Sequence, residues 1–193
     1  PQRLRNRGYA PFIAALRAAM RDCGALRIDH IMGLMRLFCI PHGRQATDGT
    51  YVAYDFDKLL GIVVLESVRA RCMVIGEDLG TVPDLVRAAM HRLGILAYRP
   101  LLFAKTAAGE FTPAPQFPLD ALVTVATHDM PTLAGFWQGQ DLLLRTSLGL
   151  FDSNALREEQ IVERSRERAR LLLALEREAL LPPTMTVNPI SAP

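Results

Sequence analysis

The chain has 193 residues, half of them hydrophobic and 22% charged, which excludes an intrinsically disordered or collagen-like protein and fits one domain or part of one. Its 22 basic and 20 acidic residues leave a thinly spread net charge of +2, and no apolar run approaches the length of a membrane span, so neither nucleic acid nor a membrane is predicted as a partner. Three cysteines without C-x-x-C spacing argue against a disulfide framework and a zinc site, and they favour a reducing, cytoplasmic compartment.

Helices and short apolar segments alternate along the first two thirds of the chain. Apolar residues at helical spacing, with a proline at the start or a glycine at the end in two cases, predict helices over 11–22, 56–71 and 83–92. Nearly continuous apolar character predicts buried strands over 25–29, 72–75, 95–103 and 121–126. Pro100 cannot donate a ladder hydrogen bond and therefore predicts a bulge or a strand end.

The C-terminal part of the chain has a different pattern. Residues 154–181 carry dense arginine and glutamate pairs at helical spacing, which predict one long, partly exposed helix or two helices. The last residues, 188–193, are expected to be a weakly structured end. We therefore divide the chain into residues 1–140 and a helical region with a frayed end at 141–193.

The alternation of four buried strands with helices predicts an α/β fold with a parallel sheet and right-handed crossovers. Both a barrel and an open doubly wound sheet fit this pattern. Neither the glycine fingerprint G-x-G-x-x-G nor the phosphate-binding G-x-x-x-x-G-K-[ST] occurs, which argues against the commonest nucleotide-binding sheets and favours the barrel.

Three of the four predicted strands end on a carboxylate, at Asp29, Glu77 and Asp129. The C-terminal strand ends of a barrel lie on one face and build its active site, so these acids are expected to converge. Two carboxyl groups about 5–5.5 Å apart can cleave a glycosidic bond by double displacement. Arg27, on the same side of the strand as Asp29, is expected to keep that nucleophile ionised, and an apolar strand end is expected to keep Glu77 protonated as general acid/base.

Structural interpretations compete with these roles. Arg27 and Asp29 taken alone fit a structural ion pair, whereas Glu77 with Asp78, and His128 with Asp129, fit the N-termini of the following helices. The joint occurrence at successive strand ends favours a catalytic role over each of them. The four histidines lack the i, i+4 spacing of a helical metal site, so no metal is predicted, and Cys39 is expected to pack in the core.

Three segments together resemble the amylomaltase family of the α-amylase-like barrel clan, the 4-α-glucanotransferases or disproportionating enzymes. They are Arg27-Ile-Asp-His-Ile-Met-Gly33, Val74-Ile-Gly-Glu-Asp-Leu-Gly-Thr-Val-Pro83 and Thr127-His-Asp-Met-Pro-Thr-Leu-Ala-Gly135. The resemblance extends over about residues 10–137 and departs from the family at Cys39, where relatives often have tryptophan.

The resemblance implies a role for each matching residue. It assigns the nucleophile to Asp29, the acid/base to Glu77 and the transition-state carboxylate to Asp129, with Arg27 and His128 as ligands of the reacting glucose. It implies retaining transfer of an α-1,4-glucan segment to the 4-hydroxyl of glucose or a maltooligosaccharide, without a metal or organic cofactor.

The resemblance also bears on the extent of the fold. It implies a (β/α)8 barrel of which this chain holds roughly strands four to seven, with the rest of the barrel missing. Two alternatives stay open, an α-amylase-like α-1,4-glucan hydrolase and a non-catalytic fragment without activity of its own.

Overall fold

The computed structural model describes residues 1–184 and divides the chain into two compact units. The first comprises Pro1–Tyr98 with Leu119–Leu122, and the second comprises Arg99–Pro118 with the chain from Val123 onward. The predicted frayed end at 188–193 lies outside the described residues. Within those residues, no helix combines the length and apolar character needed to span a membrane.

The first unit contains most of the predicted alternation. In chain order its elements are α1 (Gln2–Asn6), α2 (Ala10–Met20), β1 (Ala25–Ile28), β2 (Arg36–Cys39), β3 (Thr50–Ala53), α3 (Phe56–Ala70), β4 (Met73–Gly76) and α4 (Asp84–Arg92). The predicted helices over 11–22, 56–71 and 83–92 and strands over 25–29 and 72–75 are confirmed, with ends that differ by at most two residues.

Strand β4 lies between two parallel neighbours. It pairs with β1 in a register that sets Ala25 opposite Met73 and Ile28 opposite Gly76. On its other side, the Gly76 N–H donates to the Leu96 carbonyl at 2.9 Å, and an isolated parallel bridge joins Ile75 to Leu96. The apolar composition of β4 follows from this position, because a parallel strand with neighbours on both sides is covered by helices.

Helices α2, α3 and α4 bury their apolar faces in one core around this strand pair. Its most deeply buried members, each at most 2% exposed, are Met20, Ile31, Leu60, Val63, Cys72, Val86 and Met90. Glu66 of α3 is also buried, and it accepts hydrogen bonds from Arg17 Nε at 2.7 Å and Arg69 Nη1 at 2.8 Å. The hydrogen bond from Arg17, supported by Arg69, lowers the pKa of the Glu66 carboxyl against the opposing effect of burial.

An antiparallel hairpin that the sequence analysis did not predict follows β1. Strands β2 and β3 pair with Arg36 opposite Ala53 and Cys39 opposite Thr50. The Phe38 and Tyr51 rings meet edge to face with centroids 5.2 Å apart. Cys39 is exposed on this hairpin, so its expected place in the core is wrong; the hairpin strands leave most of their side chains open to solvent.

Strands β5 (Ala97–Pro100) and β6 (Ala121–Thr124) pair with each other. In the first unit the Ala97 N–H donates to the Asp120 carbonyl at 2.9 Å, and in the second the Leu102 N–H donates to the Val125 carbonyl at 3.2 Å. Strand β5 ends at Pro100, as its missing N–H predicts, and the predicted strands over 95–103 and 121–126 are confirmed in shorter form.

The regular secondary structure in the described residues of the second unit is mostly helical. Its α-helices are α5 (Leu133–Gln138), α6 (Gln140–Ser147) and α7 (Asn154–Arg177), around a core of Leu102, Phe111, Phe136, Leu171 and Ala174. The charged stretch predicted as one or two helices is the single helix α7, which starts where Ser153 Oγ accepts the Leu156 N–H at 3.1 Å. Together the units confirm an α/β fold, and each sheet among the described residues has two strands.

Two glycines provide a matched test of packing at the end of β4. A Cβ at position 76 would lie 2.8 Å from Met90 Cε and 3.1 Å from Ile31 Cγ1, whereas one at Gly61 on α3 meets nothing within 4 Å. Gly76→Ala is expected to lower the free energy of unfolding by about 1–3 kcal/mol because a well-packed core must shift. Gly61→Ala is expected to raise it by up to about 1 kcal/mol. Urea denaturation of both variants measures this, and equal effects would contradict it.

Candidate active site

Asp29 and Glu77 directly follow the last paired residues of two neighbouring parallel strands. Ile28 of β1 lies opposite Gly76 of β4, so the next position in the register sets Asp29 beside Glu77. The backbone continues this pairing beyond the strands, since the Glu77 N–H donates to the Ile28 carbonyl at 2.9 Å. The structure therefore brings these two predicted acids together at the C-terminal end of the strand pair, where active sites of parallel α/β proteins lie.

The carboxyl group of Glu77 is held by two backbone donors. His30 N–H donates to Oε2 at 2.9 Å, and Leu79 N–H donates to Oε1 at 2.6 Å. His30 adopts a left-handed backbone with φ 47°, a conformation uncommon outside glycine that recurs at functional sites. His30 directly follows Asp29 in sequence, and this turn places its backbone N–H against the side chain of Glu77.

Arg27 supplies a positive charge to Asp29, as predicted. Its Nη2 lies 2.8 Å from Asp29 Oδ1, and residues two apart on a strand share one side. The Arg27 guanidinium also stacks over the Tyr98 ring, 4.5 Å from the centroid, and Tyr98 is buried. The Asp29 side chain keeps 60% of its surface exposed, so the carboxylate that Arg27 holds is accessible to a ligand.

Asp78 is a supporting residue whose role the sequence analysis missed. Its side chain is buried, its Oδ1 accepts the Tyr98 N–H at 3.1 Å and its Oδ2 lies 3.4 Å from Arg87 Nε. Arg87 also donates to the carbonyls of Asp78 and Val82, at 3.1 and 2.8 Å. The interpretation that Asp78 favours the start of the next helix is wrong, because its carboxylate faces inward and clamps the loop that follows Glu77.

His128 and Asp129 belong to the second unit, in the loop between β6 and α5. His128 Nε2 lies 3.4 Å from Asp129 Oδ1, and the Asp129 N–H donates to Thr127 Oγ1 at 3.2 Å. Their side chains are exposed. They do not cap the following helix, since Thr132 Oγ1 accepts the Gly135 N–H there at 3.1 Å. Both side chains are therefore open to a ligand, as the catalytic interpretation requires.

The arrangement offers carboxyl groups and hydrogen-bond donors. In the first unit the exposed Asp29 carboxylate, paired with Arg27, lies next to the Glu77 carboxyl group, which backbone N–H groups position. Cleavage of an acetal uses two carboxyl groups of this kind. Across residues 1–184, no group of three or more histidine, cysteine, aspartate or glutamate side chains is placed to hold a metal ion.

Comparison with known proteins gives a consistent result. A family model described as 4-alpha-glucanotransferase matches residues 1–189. The chain is 46% identical over 183 residues to a 4-alpha-glucanotransferase of Haemophilus influenzae, covering 95% of this chain and 26% of that protein. It is 43% identical over 185 residues to one of Mycobacterium tuberculosis, covering 94% of this chain and 25% of that protein.

A solved structure agrees with the sequence matches. The crystal structure of amylomaltase from Corynebacterium glutamicum superposes with a TM-score of 0.86 at 34% identity, covering 94% of this chain and 26% of that one. The chain thus spans about a quarter of the length of the relatives that it matches.

Asp78 and Asp84 both lie near Arg87, and together they provide a matched test of whether Asp78 holds the loop after Glu77. Asp78 is buried, whereas the Asp84 side chain is fully exposed and lies 3.9 Å from Arg87 Nη1. Asp78→Asn is expected to lower the free energy of unfolding by roughly 2–4 kcal/mol, because it removes the buried negative charge that pairs with Arg87. Asp84→Asn is expected to cost less than about 1 kcal/mol. Chemical denaturation compares them, and losses of equal size would contradict a special role for Asp78.

Proposed function

The chain belongs to the 4-alpha-glucanotransferase family, and from that membership we propose that it is part of an enzyme that transfers α-1,4-glucan segments. The donor is an α-1,4-glucan, and the acceptor is the 4-hydroxyl of glucose or of a maltooligosaccharide. The observation that carries this proposal is the register of β1 and β4, which puts Asp29 beside Glu77 at one end of the strand pair. The chain covers about a quarter of its relatives, so the activity of the whole enzyme is inferred from family membership.

In the proposed mechanism Asp29 attacks the anomeric carbon of the donor while Glu77 protonates the departing glycosidic oxygen. The products of this step are a β-glucosyl ester on Asp29 and the released end of the donor. Glu77, now a carboxylate, then takes the proton of the acceptor 4-hydroxyl, which attacks the same carbon and displaces Asp29. Two inversions retain the α-configuration.

Support for these roles comes from the contacts of each residue. Asp29 is exposed and has Arg27 as its ionic partner at 2.8 Å, which suits a nucleophile that works as a carboxylate. The hydrogen bonds from His30 and Leu79 fix the Glu77 carboxyl group next to it, as proximity catalysis requires. We assign Arg27 to the reacting glucose as a ligand in addition to its pairing with Asp29.

The roles of Asp129 and His128 in this proposal rest on the family resemblance. Asp129 is the carboxylate that stabilises positive charge on the anomeric carbon and binds hydroxyls, and His128 is a ligand beside it. Their exposure in the loop after β6 supports these roles, since both side chains are free to contact a ligand. The proposed chemistry uses carboxylates alone and therefore needs no metal or organic cofactor.

We further propose that the chain is a section of a (β/α)8 barrel, roughly strands four to seven. Residues 1–140 would contribute to the catalytic barrel, and 141–193 would form a helical region of the same domain. The likeness to amylomaltase over 94% of this chain and the parallel neighbours of β4 support this. The remaining barrel would come from segments outside this chain. A cytoplasmic location stays a prediction that rests on the odd number of cysteines.

Two other functions compete with the transferase. An α-amylase-like hydrolase would let water intercept the same glucosyl ester, and family membership disfavours it. The other alternative is a non-catalytic fragment of the transferase with no activity of its own, because the chain covers about a quarter of its relatives. Substrate assays separate these three outcomes.

Maltotriose distinguishes transfer from hydrolysis. A protein in which this chain is joined to the rest of the barrel is expected to give longer oligomers and free glucose, whereas a hydrolase gives only shorter sugars. Asp29→Asn is expected to lower kcat by roughly 10³-fold or more, because the nucleophile is lost. Asp57→Asn, an exposed acid on α3, is the control and should be silent. Product ladders from chromatography decide it, and transfer that survives Asp29→Asn would contradict the mechanism.

The isolated chain is expected to self-associate and to have little transferase activity. Large apolar side chains on β6 and around it stay exposed, among them Phe103, Leu119, Leu122, Val123 and Val125. Exposed strand edges and apolar patches of this kind promote association. Size-exclusion chromatography with light scattering measures the state, and a clean monomer with full transferase activity would overturn this expectation.

A further inference from the structure

Two thiols meet at the end of the strand pair remote from the carboxylates. Cys23 lies two residues before β1, and Cys72 directly precedes β4. Their sulfur atoms are 3.6 Å apart although the residues are 49 positions apart in sequence. Neither thiol has a part in the proposed glucan chemistry.

The backbone around both cysteines is held in place. The Met73 N–H donates to the Gly24 carbonyl at 2.8 Å, which joins the residues next to the two cysteines. Cys72 donates its N–H to the Ser67 carbonyl at 3.0 Å and accepts Ser67 Oγ–H at its own carbonyl at 2.6 Å. Neighbouring strands lie about 4.8 Å apart, and disulfides join Cα atoms about 4.4–6.8 Å apart. Cys23 precedes Gly24, the residue opposite Cys72 in the continued register, and the two sulfur atoms at 3.6 Å must approach each other to form a bond of about 2.05 Å.

The two thiols differ in their access to solvent. Cys72 is 2% exposed, and burial, with the hydrogen bond to Cys23, raises the pKa of its thiol. Cys23 is partly exposed and donates to the Ala19 carbonyl at 3.2 Å. A small polar oxidant therefore meets Cys23 first, while Cys72 is shielded from solvent but within contact of the Cys23 sulfur.

We propose that Cys23 and Cys72 form a peroxide-sensitive dithiol pair that closes to an intramolecular disulfide. The Cys23 thiolate attacks a peroxide oxygen, the O–O bond breaks, and Cys23 sulfenic acid and hydroxide form. The Cys72 sulfur, giving up its proton, then attacks the Cys23 sulfur and expels the sulfenic oxygen as water. Per peroxide, two thiols lose two electrons and two protons, and two waters form.

The position of the pair predicts what the bond does. It ties the N-terminal ends of β1 and β4 together, whereas Asp29 and Glu77 follow their C-terminal ends. The cross-link closes a loop of about 50 residues in the unfolded chain, which reduces the entropy of the unfolded state. The disulfide is therefore expected to raise the melting temperature and to leave the contacts of Glu77 with His30 and Leu79 in place.

Hydrogen peroxide with subsequent alkylation under denaturing conditions tests the proposal. We expect a chain without intermolecular cross-links that is lighter by two hydrogens, with one alkylated thiol out of three and a Cys23–Cys72 peptide in the mass map. The melting temperature should rise and return to its starting value after dithiothreitol.

Matched variants identify the partners. Cys39→Ser removes the exposed cysteine of the hairpin and should still lose two hydrogens. Cys23→Ser should lose none, keep its circular dichroism spectrum and show no peroxide-dependent change in melting temperature. Three alkylated thiols after peroxide, sulfinic acid at Cys23 without a disulfide, or a cross-link that includes Cys39 would each overturn the proposal.

Discussion

The parallel pairing of β1 with β4 is the constraint on which the rest of the first unit depends. Its register carries Asp29 and Glu77 to adjacent positions, and the hydrogen bond from Glu77 N–H to the Ile28 carbonyl extends the pairing beyond the strands. At the other end of the strand pair the sulfur atoms of Cys23 and Cys72 lie 3.6 Å apart. Because strand direction is shared, one end collects the carboxylates and the opposite end collects the thiols.

The acids lie on loops, but buried groups hold those loops. The ion pair of Asp78 with Arg87 holds the segment after β4. The Tyr98 N–H donates to Asp78, and the Arg27 guanidinium stacks on the Tyr98 ring. Ile31 packs close to Gly76, so the turn after β1 contacts the strand that carries Glu77. Such support limits the movement of side chains that must stay accessible to a substrate, which is how folded scaffolds position reactive groups.

Segments with helical periodicity or continuous apolar character were predictable, whereas strands with exposed side chains of mixed character were not. Helices α2, α3 and α4 have apolar faces at helical spacing, α2 and α4 also have proline or glycine near their ends, and β4 is an apolar run between α3 and α4. The hairpin of β2 and β3 has exposed side chains of mixed character, so neither strand shows a buried face, and Cys39 was wrongly expected in the core. Asp78 follows Glu77 in sequence and shows no local sign of being buried.

By itself the sequence determined the α/β alternation, the acids at three strand ends and the resemblance to the 4-α-glucanotransferases, because these features are local patterns of residue type. Only the tertiary structure decided that Asp29 lies beside Glu77, that backbone N–H groups of His30 and Leu79 hold the Glu77 carboxyl, and that two thiols lie 3.6 Å apart. The contacts of His30 with Glu77 and of Cys23 with Cys72 join residues 47 and 49 positions apart, and the pairing of distant strands, which no local pattern encodes, brings them together.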